Sequence, residues 1–418
     1  MQPESVSRPR PPISQAELDE VVRRHALFQS GRHGGQRALL SYRDLTGLNL
    51  NGQNLCDGDL TGAILENARC VGTLFNSAIL FGASLAHADM RGAKLIRADL
   101  RGASLRGANL TGADLFDADL RDGAIATRIS PGEYRNIRID EGASDLVGAR
   151  MVNANLSQAR LSGSIANHTD FSDAIMRNCK LVRADLRNAV MAGANLEGAD
   201  LNGADLRGAN LKDAILVGAD MSMTETAGAD MTGILTDRPA GRPLSDLKET
   251  LETLVRRHEE WATSDGARGA PLDLGGFDLR NARFPAGAKL PALKANGTVL
   301  VALDLEGLGL QGAQFEGADL RSAKLVRADL RGANLKHSKL SYADLRDCNL
   351  GALILGANRY LPARLDGAEA RHVDLRGADI RRANFTGANL SSANLSGAQT
   401  EEADFTNATL SDMIGMKP

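Results

Sequence analysis

Aromatic residues are scarce, only 4% of 418 residues with a single tryptophan. A globular core of this size usually draws on more ring bulk, so the interior has to be built from smaller side chains. Four cysteines form no disulfide framework, and a reducing cytoplasm is the expected compartment. No apolar run reaches the length of a membrane span, and the start, MQPESVSRPRPP, has no apolar leader region. Membrane contact is therefore not expected. Formal net charge is −3. That is nearly balanced, so neither a nucleic-acid binder nor an acidic mimic stands out.

What the chain has in plenty is one short phrase. ADLRGASLRGANLTG, residues 98–112, places Leu at every fifth position, with Ala two before it and Gly two after. In an α-helix five residues advance about 500°, so successive leucines would wind around every side and form no stripe. A strand fits better, because residues two apart share a side. Ala98 and Leu100 then point inward and Asp99 and Arg101 outward. Gly102 suits the corner that follows. No single unit buries its leucine alone, so the units must stack into a solenoid with one continuous core.

ADLRG, GANLTG and GADLNG resemble the pentapeptide-repeat proteins, over roughly three quarters of the chain by eye. The resemblance implies an all-β solenoid, a right-handed quadrilateral parallel β-helix with four pentapeptides to each coil. Such a narrow interior leaves no room for aromatic bulk. Residues 20 apart should then stack, and Arg177/Glu197, Glu316/Lys336 and Arg346/Asp366 do so with opposite charge. Cys70 falls at a Leu position and Cys179 and Cys348 at Ala positions, so these three point inward; Cys56 points outward.

The organisation reads as a duplication of helix plus solenoid. Residues 1–13 read as a disordered tail and 14–30 as a capping helix, with Leu18, Val21, Val22, His25 and Phe28 on one face. A first repeat tract covers 40–236. It holds one phase to Ile125, is interrupted near 127–145, and resumes at Leu146 one residue out of step. Residues 237–243, DRPAGRP, read as a linker and 244–264 as a second capping helix. LVRRHEEW at 254–261 matches VVRRHALF at 21–28. A second tract covers 272–415, interrupted near 285–299 and 358–364. Solenoids need caps over their open edges. Phe28 and Trp261 are expected to lie across the first coils. His25 and His258 are read as cap histidines bonded to an open edge carbonyl, rather than as a ligand or switch.

No catalytic residue, cofactor or metal site emerges. His87, His168, His337 and His372 all take the Gly position, hence exposed corners, and none has metal-ligand spacing. There is no G-x-x-x-x-G-K loop, and GRHGG at 31–35 reads as a flexible link. Carboxylates before Leu are abundant because the fold asks for an outward polar residue in every unit. An enzyme is not expected.

The preferred reading is a protein-interaction scaffold whose contacts lie where the repeats break. Tyr134 with Arg135 and Arg138 marks one such place, and Arg359, Tyr360 and Leu361 another. Ile96 and Phe116, 20 apart, form an outer ladder that is either a partner patch or local packing. Met413, Ile414 and Met416 lie at an end without a following helix, where the resemblance implies a possible homodimer. The resemblance also implies an alternative, a DNA-mimicking modulator of gyrase or topoisomerase IV. Such a mimic needs an acidic face, yet residues 303–413 carry 13 basic against 15 acidic residues. Arg101, Arg121, Arg187, Arg207, Arg331 and Arg376 interrupt the faces. Direct nucleic-acid binding through these arginines is not expected, because interleaved Asp cancels the field.

Overall fold

The computed structural model describes residues 12–130, 133–138, 142–238, 240–356, 359–411 and 413–415. The chain divides into two compact units, Met1–Arg238 and Pro239–Pro418, each with its own leucine and alanine core.

The pentapeptide is explained by where its five amide hydrogens go. In Ala98–Gly102, the Ala98 N–H turns back to Leu95 O at 3.0 Å and the Asp99 N–H reaches Ala78 O at 3.0 Å in the preceding coil. Leu100 and Gly102 donate to Asp119 O (2.8 Å) and Arg121 O (3.0 Å) in the next. The Arg101 N–H is left over, and Asp99 Oδ1 accepts it at 3.2 Å. The Asp or Asn before each Leu is thus a backbone acceptor, which answers the accounting that buried peptide groups demand. In some coils where that position lacks such an acceptor, an asparagine in the preceding coil serves. Asn51 accepts from Val71 N at 2.9 Å and Asn76 from Ile96 N at 3.1 Å. Gly102 turns the corner at φ +64°.

Parallel bridges join each outward position to its counterpart one coil later, as in Asp59, Ile79, Asp99 and Asp119, and four such columns run through each unit. The interior accepts more aromatic bulk than expected: Phe75, Phe171, Phe315 and Phe385 are fully buried at Leu positions. Phe385 stacks on Phe405, with ring centroids 5.1 Å apart.

The interruptions are more regular than the sequence suggests. Regular coils in the first unit pause after Leu120 and resume at Asp145, and Ile125 lies between them in a hairpin of β1 (Ala124–Ser130) and β2 (Glu133–Arg138). Ser104 then pairs with Asp145, where an unbroken coil would bring Ala124. The insertion is four pentapeptides and one residue more, hence the shifted phase. In the second unit β3 (Leu353–Gly356) and β4 (Arg359–Leu361) form a hairpin that begins before the expected break at 358–364. Asn334 pairs with Arg364, where an unbroken coil would bring Ile354, so two whole pentapeptides are inserted and the phase is kept. The break expected over 285–299 is a single extra residue, since Asp273 pairs with Lys294; Lys289 already pairs with Gly309.

Each unit begins with a cap. α1 (Gln15–Gln29) starts at Ser14, whose side chain and that of Glu17 form a reciprocal capping box. Residues 1–11 lie outside the described residues, but Pro12 pairs with Asp44 and Ile13 is buried, so these two are not tail. Gln15 closes a second side of the first coil. Its amide donates to Asn49 O at 3.0 Å and accepts from Asn49 N at 2.9 Å, standing in for a peptide group. The GRHGG link is a tight turn rather than a flexible one. A Cβ on Gly35 would lie 2.4 Å from Phe28 N.

The second cap is shorter than expected. Residues 244–246 form one 3-10 turn, and α2 runs Leu251–Thr263 because Thr250 accepts the Thr253 N–H and caps it there. The stretch read as a linker is partly structure. Arg242 exchanges backbone bonds with Gly276 O (2.9 Å) and Asp278 N (2.8 Å), and its guanidinium covers the Phe277 ring at 4.1 Å. Arg242 in this unit does what Pro12 does in the first.

Candidate functional site

The cap histidines, not the cap aromatics, lie across the open coils. His25 and His258 are fully buried, whereas Phe28 is 45% exposed and Trp261 half-buried. His25 Nδ1 accepts the Ala38 N–H at 3.1 Å, and Nε2 meets Cys56 O at 2.9 Å. An amide only donates, so the ring hydrogen sits on Nε2 and donates to the carbonyl. His258 repeats the arrangement with Leu272 N at 2.8 Å and Pro291 O at 3.0 Å. Burial pushes both imidazoles below the usual histidine range. His25 stacks loosely on Phe28, with centroids 6.0 Å apart, and His258 lies tilted by 40° against Trp261 at 5.3 Å.

The arginines expected to break up the faces are bound to their own repeats. Asp99 and Arg101 share one side of a strand. Arg101 Nε donates to Asp99 Oδ1 at 2.8 Å and Nη2 to Oδ2 at 2.7 Å. The same two-toothed fork holds Arg121, Arg187, Arg207, Arg331 and Arg376 to the Asp two before each. Hydrogen bonds from Arg187 hold the Asp185 carboxyl at about 2. The A-D-L-R-G spacing carries this signal, because residues two apart on a strand are neighbours. Of the expected cross-coil pairs, Arg177 meets Glu197 at 3.0 Å. The other two fail as ion pairs. Arg346 faces Asp374 at 3.8 Å because two inserted pentapeptides lie between it and Asp366. Glu316 and Lys336 do stack, with Gly317 N donating to Lys336 O at 2.8 Å, but Glu316 accepts from Asn334 Nδ2 and Lys336 lies 3.8 Å from Asp366.

The β3–β4 hairpin presents exposed apolar side chains. Tyr134, Arg135 and Arg138 fall on β2, opposite Arg128, Thr127 and Ala124, and their side chains lie outside the described residues. On β3–β4, Ile354 pairs with Tyr360, and the two are 69% and 49% exposed. Leu355 is also exposed. Leu353 and Leu361 sit over Gly332, while the Arg382 guanidinium covers the Tyr360 ring at 4.6 Å. Arg382 in turn is held by Glu402 at 2.9 Å. Arg359 is exposed beside them.

Ile96 and Phe116 are half-buried in successive coils, joined through the Arg97 N–H and Phe116 O at 2.9 Å. Met413 packs on the second core and Ile414 points outward from a paired position, so they form no common face; Met416 lies outside the described residues. His372 is not on an open corner. It stacks on Tyr342 at 4.8 Å, and burial pushes it down to about 4. Among the described residues no group of His, Cys, Asp and Glu is placed to hold a metal ion. No described helix is long and apolar enough to cross a membrane.

A family model described as pentapeptide repeats, in eight copies, matches residues 36–122, 154–233, 294–351 and 363–413, more than half of the chain. The chain belongs to the pentapeptide-repeat family. Proteins of this family fold as right-handed quadrilateral β-helices. Among solved structures, this pentapeptide-repeat protein is similar to Rfr23 from the cyanobacterium Cyanothece 51142, at 32% identity over 32% of this chain and 91% of that one, TM-score 0.28. It is also similar to HetL, involved in heterocyst differentiation regulation in Nostoc sp. strain PCC 7120, at 25% identity over 79% and 89%, TM-score 0.17. QnrB1, a plasmid-mediated fluoroquinolone resistance protein, shares 18% identity over 49% and 92%, TM-score 0.20. No curated protein matches the chain.

Proposed function

We propose that this pentapeptide-repeat protein is a non-enzymatic scaffold that binds protein partners through the hairpins its coils display. The observation that carries the reading is the β3–β4 hairpin. It presents Ile354, Leu355 and Tyr360 to solvent while Gly332 and Arg382 fix its base. Apolar and aromatic groups held on a rigid support lose little entropy on binding, and Tyr and Arg are enriched where binding energy concentrates. The Asp–Leu–Arg forks speak against the alternative, a DNA-mimicking modulator of gyrase or topoisomerase IV. A mimic needs unpaired carboxylates in a column, and these are neutralised in place.

The test is capture of partners by the full chain from nuclease-treated lysate of its own host, beside a variant carrying Ile354→Ser and Tyr360→Ser. A partner retained by the wild type and lost by the variant supports the reading. A gyrase or topoisomerase captured equally by both replaces it with the alternative.

A further inference from the structure

The first coil of the first unit has four sides, and α1 with its leading residues closes three of them. Pro12 pairs with Asp44, Gln15 with both backbone groups of Asn49, and His25 and Gln29 with Cys56 O. Among the described residues none closes the fourth side, at Leu39. Leu40 N and Ala38 O pair with Asp59 in the next coil, but the Leu39 N–H and C=O point the other way and meet no partner among the described residues. The Leu39 side chain is 67% exposed.

A groove of about 860 Å³ lies along this edge, between α1 and the coil, with Val21, Phe28 and Leu39 among its walls. Its volume falls in the range of ligand sites, and apolar walls beside an unpaired strand edge are what an added strand uses. The charges at its rim are not balanced. Arg24, Arg37 and Arg43 stand there against Glu17 and Glu20. Glu20 pairs with Arg23 and Arg24, while Glu17, bonded to the N–H and hydroxyl of Ser14, keeps its charge and feels that of Arg43. Arg37 gives its Nε to a neutral carbonyl, Asp57 O. Arg43 Nε is buried with no hydrogen-bond partner. Among the described residues neither Arg37 nor Arg43 forms an ion pair, unlike the arginines of the forks. The second unit differs at the matching place, where Asp273 replaces Leu39.

We infer that this groove binds an extended peptide that pairs with Leu39 as an added strand and brings acidic residues among apolar ones. The backbone edge supplies the pairing. Val21, Phe28 and Leu39 receive the apolar side chains, and Arg37 and Arg43 the carboxylates. This role of the groove rests on the reading of the chain as a protein-binding scaffold, but it concerns a surface separate from the hairpin. Loss of a partner in the hairpin variant leaves it standing.

The test is selection of random short peptides displayed on their encoding nucleic acid, against the full chain, followed by binding of the enriched peptides as labelled synthetic probes. Enriched peptides should mix apolar and acidic residues. They should protect the Leu39 amide from hydrogen exchange, and bind roughly tenfold or more weakly once N-methylated along the pairing edge. Arg43→Gln and Leu39→Asp, both checked for unchanged melting, should weaken binding by a similar factor. No enrichment, peptides without carboxylates, or binding that ignores both substitutions would overturn the inference.

Discussion

The amide of Ala38 donates its hydrogen to Nδ1 of His25, 3.1 Å away, and so requires that imidazole to stay neutral. A proton on Nδ1 would set two donors against each other. His258 is bound in the same way by Leu272. Both folded-state pKa values lie below the unfolded one, chiefly through burial. The unfolded chain therefore takes up protons first as pH falls. The stability from these caps is present above the unfolded value of about 6.5 and is lost below it. Melting temperature should drop between about pH 7 and about pH 5, and a His25→Asn, His258→Asn variant should melt lower with a flatter profile. An unchanged slope in that variant would count against neutral caps.

The aspartate before each leucine holds both a backbone amide and an arginine, and two substitutions separate the roles. Asp185→Asn keeps an oxygen for the Arg187 N–H and loses the charge. Its cost should be small, about 0–1 kcal/mol, as for exposed ion pairs. Asp185→Ala also strands the amide and should cost about 1–2 kcal/mol. Thermal and denaturant melts of the two variants give the order. Equal costs would mean that the ion pair, not the turn, is what the position supplies.

Gly332 is needed twice over. It sits at φ +68°, and a Cβ there would lie 3.0 Å from both Leu353 Cβ and Leu361 Cδ2. Gly317 has nearly the same φ, +65°, and open space around it. Gly317→Ala should cost only the left-handed backbone, roughly 1–2 kcal/mol. Gly332→Ala should cost more and loosen the hairpin, seen as faster amide exchange in β3 and β4.

Thiol chemistry should find one cysteine of four. Burial pushes Cys70 up to about 12 and raises Cys179 and Cys348 further. Cys56 is half-buried. A disulfide reagent should label the native chain once, at Cys56, and all four thiols after denaturation. Fast native labelling at Cys179 would contradict the inward phase.

The coil is legible in the sequence because its rule is local: five residues set inside, outside and corner without reference to the rest. What escapes is whatever depends on a second segment. The fork of Asp99 with Arg101 is within reach of the same rule, yet taken one at a time the two look like separate outward charges. Helical spacing puts His25 and Phe28 on one face but cannot say which ring the coil covers, and it is His25 that is buried while Phe28 is 45% exposed. The insertion in the first unit announces itself by shifting the leucine phase. The one in the second unit does not, so counting alone matches Arg346 to Asp366 rather than to Asp374. A silent insertion of whole pentapeptides hides from periodicity.

That silence has a use. The β3–β4 insertion has the length of two whole pentapeptides, so excising that length leaves Asn349 and Asp379 the ordinary 20 apart. The corner is a socket. A hairpin of that length enters or leaves it without moving one leucine on either side, so what the chain displays can change while the column beneath it stays the same.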